Sequence, residues 1–195
     1  MACTALQAEN LIINGDFETG EGNAFYQTPG WYNAGTGSNQ GTNARSDEGA
    51  VVSGSYSATV IDRYNTSEGK PGPLMYVQKT NYIIEQGDSF ALSYEWKPAD
   101  QYWQRSTDTV RFVLFATGND NVGGPVVWSS ELTSDFTKGG WETVKLVSDT
   151  TDVVNSEAVG RTLFVKFYGI DTVDSENGNP HWARVDNIEV TAVKN

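Results

Sequence analysis

Apolar and polar residues alternate with a period of two along much of the chain. Ser89–Lys97 sets Phe90, Leu92, Tyr94 and Trp96 against Ala91, Ser93, Glu95 and Lys97, which gives one large apolar face and one small or polar face. Val110–Thr117 repeats this, with Val110, Phe112 and Leu114 opposed by Arg111, Val113 and Phe115. Leu163–Gly169 places Leu163, Val165 and Phe167 opposite Phe164, Lys166 and Tyr168. Further strands are predicted at Leu11–Ile13, Ser55–Ile61, Met75–Ile84, Pro125–Ser130, Trp141–Val147 and Ala183–Val193. Glu85-Gln86-Gly87-Asp88, Thr117-Gly118-Asn119-Asp120 and Lys138-Gly139-Gly140 supply the turn residues between them. With no helical stripe and strand signals about a dozen residues apart, the expected fold is all-β: an antiparallel β-sandwich of two sheets. No internal repeat or linker divides it, so residues 10–195 are read as one domain. Residues 1–9 are set aside as a disordered segment, a leader remnant or a cloning remnant.

Composition narrows the function. The chain has 195 residues and a formal net charge of −12, from 25 acidic and 13 basic side chains. Such a field repels phosphate backbones and anionic lipid surfaces, so neither nucleic acid nor a membrane surface is an expected partner. No apolar run approaches the roughly 20 residues of a membrane-spanning helix. Cys3 is the single cysteine and His181 the single histidine, which excludes an internal disulfide and a zinc site built from several cysteines.

Three ordered segments carry a family resemblance. They are Asn10-Leu11-Ile12-Ile13-Asn14-Gly15-Asp16-Phe17-Glu18 with Pro29-Gly30-Trp31; Gly54-Ser55-Tyr56-Ser57-Ala58-Thr59-Val60 with Gly87–Tyr94; and Gly140-Trp141-Glu142 with Ala183-Arg184-Val185-Asp186-Asn187-Ile188-Glu189-Val190. In this order the chain resembles the non-catalytic carbohydrate-binding modules of the family 4, 9 and 22 group across residues 10–193. The resemblance implies a jelly-roll sandwich with one concave sheet and a structural calcium ion tying the N-terminal loop to the last strand. It also implies attachment to a larger secreted or cell-surface enzyme that acts on polysaccharides. By motif position, Glu18 and Asp186 match the calcium carboxylates, and Asp16 is a spare in the same loop. Read as residues alone, Glu18 after Phe17 and Asp186 between Val185 and Ile188 stand close to core positions, where an unpaired carboxylate is costly. A cation answers that cost; so would a solvent-facing position, or a pairing with Arg184 or Lys194.

A pyranose is recognised by flat aromatic faces and by polar groups that reach its hydroxyls. Tyr102 and Trp103, in the polar stretch Asp100–Arg105, are the first candidates for stacking, and Trp182, after Asn179-Pro180-His181, is the next. Tyr26, Tyr32 and Tyr64 keep similar polar company, whereas Trp31 and Trp141 are read as core. Glu95, Arg111, Lys166 and Tyr168 project away from the predicted core and would line a groove if their sheet is the concave one, with Arg105 adding a loop cation. Neutral β-glucan or xylan-type chains are the first choice of ligand, and an anionic algal polysaccharide the second.

Catalysis has less support. Glycosidases need paired carboxyl groups about 5–9.5 Å apart, and by strand parity Asp186 and Glu189 fall on opposite faces. His181 with Tyr168 and Lys166 resembles a lyase set only loosely, and no nucleophile elbow or phosphate-binding loop is present. The expectation is a binding module, not an enzyme. The alternatives are a jelly-roll polysaccharide lyase or glycanase, and a structural or adhesion sandwich of a cell-surface protein.

Overall fold

The computed structural model describes residues 9–19, 28–33, 44–45, 51–61, 71–98, 108–134, 145–153, 155–171 and 182–194. In chain order the strands are β1 Tyr32–Asn33, β2 Ala44–Arg45, β3 Ser57–Ile61, β4 Pro71–Ile83, β5 Asp88–Pro98, β6 Asp108–Thr117, β7 Val126–Ser134, β8 Lys145–Asp152, β9 Thr162–Asp171 and β10 Trp182–Lys194. One turn of 3-10 helix, Ser156–Ala158, precedes β9. Two five-stranded sheets result, ordered β1-β4-β9-β6-β7 and β2-β3-β10-β5-β8. Every strand pairing in them is antiparallel. This is the expected sandwich. Leu11–Ile13, read as a strand, instead runs beside the sheet with a single bridge from Asn10 to Thr191.

The alternating residues become the core. Phe90, Leu92, Tyr94 and Trp96 of β5 and Val185 and Val190 of β10 meet Phe112 and Leu114 of β6 and Val165 and Phe167 of β9. A stack of rings crosses the interior: Tyr76 on Phe167 (4.6 Å, 8°), Phe167 on Phe112 (5.9 Å, 8°), and Phe112 on Tyr94 (5.2 Å, 17°). Burying such rings is worth roughly 2–3 kcal/mol each and drives the two sheets together. Tyr94 meets its polar requirement by donating to the Val110 carbonyl at 3.2 Å.

The N-terminal segment closes one end. Phe17, with φ +55°, is buried against Trp31, Tyr76 and Phe167. The backbone of Gly15 accepts a hydrogen bond from Ile188 at 2.9 Å, and a Cβ on Gly15 would lie 2.2 Å from the Ile188 carbonyl oxygen. Only glycine lets this loop lie against the last strand. The Gln78 side chain holds the same segment, donating to the Ile13 carbonyl and accepting from the Ile13 amide. Trp31 is core, as expected; Trp141 lies outside the described residues.

Candidate functional site

The first site is the outer face of the β1-β4-β9-β6-β7 sheet. Strand register places its side chains in rows. Tyr32, Val77, Lys166, Val113 and Glu131 follow one another across the five strands. Beside them lie Met75, Tyr168, Arg111 and Thr133, and on the other flank Lys79, Phe164, Phe115 and Ser129. A second apolar cluster forms its floor: Val77, Val113, Phe115, Phe164 and Tyr168, all buried, with Phe115 and Phe164 stacked at 5.2 Å.

Cations lie over this floor. The Lys166 Nζ sits 5.2 Å from the centre of the Phe115 ring and 5.8 Å from that of Tyr168, and the Lys79 Nζ sits 5.8 Å above Phe164. Burial lowers the pKa of Lys166; Glu131 opposes that shift and Arg111 adds to it. Arg111 forms an ion pair with Glu131 at 3.4 Å. The Tyr168 hydroxyl is raised above its ordinary pKa by burial, with the Arg111 guanidinium beside it working the other way. Burial also pushes the Tyr32 hydroxyl up to about 12.

Of the residues singled out in the sequence, Arg111, Lys166 and Tyr168 come together here. Tyr168 is only 6% exposed, so its ring belongs to the floor and does not present a stacking surface. Glu95 does not join them. It lies on β5 beside the outward-facing Asp186, on the opposite face of the sandwich. Alternation tells inward from outward but not which sheet is involved. Tyr102, Trp103, Arg105, Tyr26, Tyr64 and His181 lie outside the described residues, and Trp182 is described by its backbone alone, opposite Ile61. The sequence reading missed Glu131, because β7 was ended at Ser130; inward-facing Trp128 and Leu132 carry the parity that turns Glu131 outward. It also missed Lys79.

The second site is the junction at Glu18 and Asp186. Both carboxylates close on one turn, Ser53–Ser57. The Glu18 Oε1 accepts from the amides of Ser55 and Tyr56 at 2.6 and 2.9 Å. The Asp186 Oδ2 accepts from the Ser53 amide and from the hydroxyls of Ser53 and Ser57, and its Oδ1 accepts from the Asn187 amide. Gly54, at φ +56°, packs so closely that a Cβ would lie 2.2 Å from the Glu18 Oε1. Asp16 stands in the same loop, with its Oδ1 accepting from the Glu18 amide at 3.3 Å. Among the described residues no group of three or more His, Cys, Asp or Glu converges on a metal position. Glu18 Oε2 and Asp16 Oδ2 have no hydrogen-bond partner among the described residues and suit a hard cation. Both Asp186 oxygens carry donors, so Asp186 would have to exchange a donor for the ion.

A bulge in β10 changes the parity argument. The register shifts between Asp186 and Glu189, and Asn187 takes φ +48°. Val185 and Ile188 therefore both face the core, and Asp186 and Glu189 both face outward, contrary to the reading that set them on opposite faces. Asp186 is closed to solvent, at 0% exposure, which keeps it from working as a water-activating partner of Glu189.

No protein-family model matches the chain, and no curated protein gives a significant match. Solved structures do. An apo cyclase from Fischerella sp. superimposes with a TM-score of 0.59 at 15% identity over 94% of this chain and 95% of that one. The CBM22-2 xylan-binding domain of Paenibacillus barcinonensis Xyn10C gives 0.50 at 14% identity over 86% and 94%. The enzymatically active domain of the bacteriophage CBA120 tailspike protein 4 gives 0.53 at 14% identity, covering 94% of this chain, which spans only 21% of that longer one. At these identities the likeness is one of fold: the same β-sandwich underlies a xylan-binding module, a cyclase and a tailspike domain.

Proposed function

We propose that the chain is a carbohydrate-binding β-sandwich that holds an extracellular polysaccharide without cleaving it. The observation that carries this reading is the outer face of the β1-β4-β9-β6-β7 sheet, where register brings Arg111, Lys166 and Glu131 side by side over an aromatic and apolar floor. The exposed polar groups of this layer can reach saccharide hydroxyls, while the buried rings beneath them brace the layer and leave stacking to loop aromatics. The fold shared with a xylan-binding domain is consistent with it. β-Glucan and xylan-type chains are candidate ligands for Tyr102, Trp103 and Trp182, with Arg105 as a candidate polar contact. The module would serve a larger secreted or surface enzyme. Calcium, held by Glu18, Asp186 and Asp16, belongs to the same proposal as a structural ion. Among the described residues no helix is long and apolar enough to cross a membrane.

A second reading, a small apolar ligand, has one observation in its favour: the apolar floor itself. The solved structures include a cyclase in complex with (3Z)-3-(1-methyl-2-pyrrolidinylidene)-3H-indole, at 13% identity. Here Val77, Val113, Phe115 and Phe164 are each at most 3% exposed, so these four residues of the floor are closed to such a ligand. Affinity electrophoresis against β-glucan, xylan, polygalacturonate and dextran sulfate separates the readings. At least one glycan is expected to retard the protein, and incubation with it should release neither reducing ends nor unsaturated products. Uniform non-binding removes the polysaccharide; product release makes the chain a glycanase or lyase.

A further inference from the structure

The charges on the outer face of the β1-β4-β9-β6-β7 sheet run against those of the whole chain. The chain as a whole has a net charge of −12. Yet on this face the described charged side chains of the three rows are Lys79, Arg111 and Lys166 against the single carboxylate of Glu131. Glu131 is taken up by Arg111 at 3.4 Å. Lys79 donates to the Asp120 carbonyl at 3.3 Å. Lys166 is half-buried, and its ammonium faces two rings and forms no ion pair among the described residues. Arg111 stands opposite Tyr168, the ring on the other side of that ammonium. A half-buried cation beside a second cation is costly, and Glu131 offsets only part of that cost, so a further anion would be stabilising here.

The chemistry of the donors points the same way. Lysine and arginine only donate hydrogen bonds, whereas a neutral sugar hydroxyl both donates and accepts, and protein sites for neutral sugars therefore mix the two kinds of group. Here the charged part of the layer is donor-rich, with three cations to one carboxylate, and that carboxylate is paired through its Oε2; Ser129 and Thr133 at the β7 edge are the neutral groups that also accept.

We infer that this face takes an acidic glycan, a polysaccharide bearing carboxylate or sulfate groups, with Lys166 and Arg111 as its anion contacts. The inference rests on the polysaccharide reading and reverses the order of ligand classes expected from composition.

The test is affinity electrophoresis of the intact chain in gels containing polygalacturonate for the carboxylate arm, dextran sulfate for the sulfate arm, and β-glucan or xylan for the neutral arm. At least one acidic polymer should retard the protein more than either neutral one. Lys166→Met and Arg111→Gln should each weaken that retardation about tenfold, while Lys97→Gln, on the opposite sheet, should leave it unchanged. Thermal melts of the variants report whether they are folded. On the unmutated protein, raising sodium chloride from about 0.05 to about 0.5 M should weaken binding to the acidic polymer severalfold. Retardation by neutral polymers alone keeps the polysaccharide reading and overturns the acidic one. Retardation by none overturns both. Acidic binding that withstands both substitutions, or that ignores salt, overturns Lys166 and Arg111 as its contacts.

Discussion

Asp186 is a carboxylate closed to solvent, and burial pushes its pKa up to about 6; the hydrogen bonds from Asn187, Ser57 and Ser53 pull the other way without cancelling that shift. An aspartate in the unfolded chain titrates near 3.9. Between these values the folded state binds more protons than the unfolded one, so this group's contribution to stability is complete below about pH 4 and is lost as pH rises through about 6. That is the opposite slope to an ion-paired carboxylate. In the presence of chelator, urea unfolding at steps between pH 4 and pH 7 should show a loss on the order of 1–2 kcal/mol from this source. Asp186→Asn should flatten that part of the profile. An identical slope in the variant would show that some other group titrates there. The residue itself was legible as a buried-acid problem, because Val185 and Ile188 flank it. Its hydrogen-bond partners were not, since Ser53 and Ser57 stand more than 120 positions away.

At the scale of elements, period-two alternation was enough to place the long strands: β5, β6, β9 and β10 fall where their apolar residues predicted. What it could not carry was the connection between faces. Ala183, Val185, Ile188 and Val190 break the period by one, which marks a bulge, yet one extra polar residue in an otherwise alternating segment reads equally as strand. The two-residue strands β1 and β2 are too short to show any period. The bulge gives a prediction of its own. Asn187 sits at φ +48°, where a side chain costs about 1 kcal/mol that glycine avoids, and its Nδ2 donates to Ser53 and Glu95 at 3.1 and 2.8 Å. Asn187→Gly and Asn187→Ala both remove those bonds, but only alanine is strained. Asn187→Ala should therefore be about 1 kcal/mol less stable than Asn187→Gly by denaturant unfolding. Equal stabilities would mean that the bulge relaxes to an ordinary strand when the amide is gone.

For the whole molecule, the two outer faces differ in balance: Lys79, Arg111 and Lys166 with Glu131 on one, and Glu95, Asp186 and Glu189 with Lys97 and Arg184 on the other. Sequence alone mixed Glu95 into the cationic group, because sheet membership depends on the order of strands and not on their alternation. The face that carries Asp186 is also where the N-terminal loop, the Ser53–Ser57 turn and β10 are tied through Glu18 and Asp186. An ion at that junction would link three distant parts of the chain that the unfolded state leaves apart, so its binding would stabilise only the folded form. A cation at about a hundred times its dissociation constant adds about 2.7 kcal/mol, and for a domain of this size that is several degrees in Tm. Chelation should accordingly lower the melting temperature by that amount, calcium should restore it, and Glu18→Gln should remove most of the response. A melting curve indifferent to verified metal depletion would exclude the ion. Backbone and hydroxyl donors would then neutralise the two carboxylates without it, as the hydrogen bonds of Asp186 already allow.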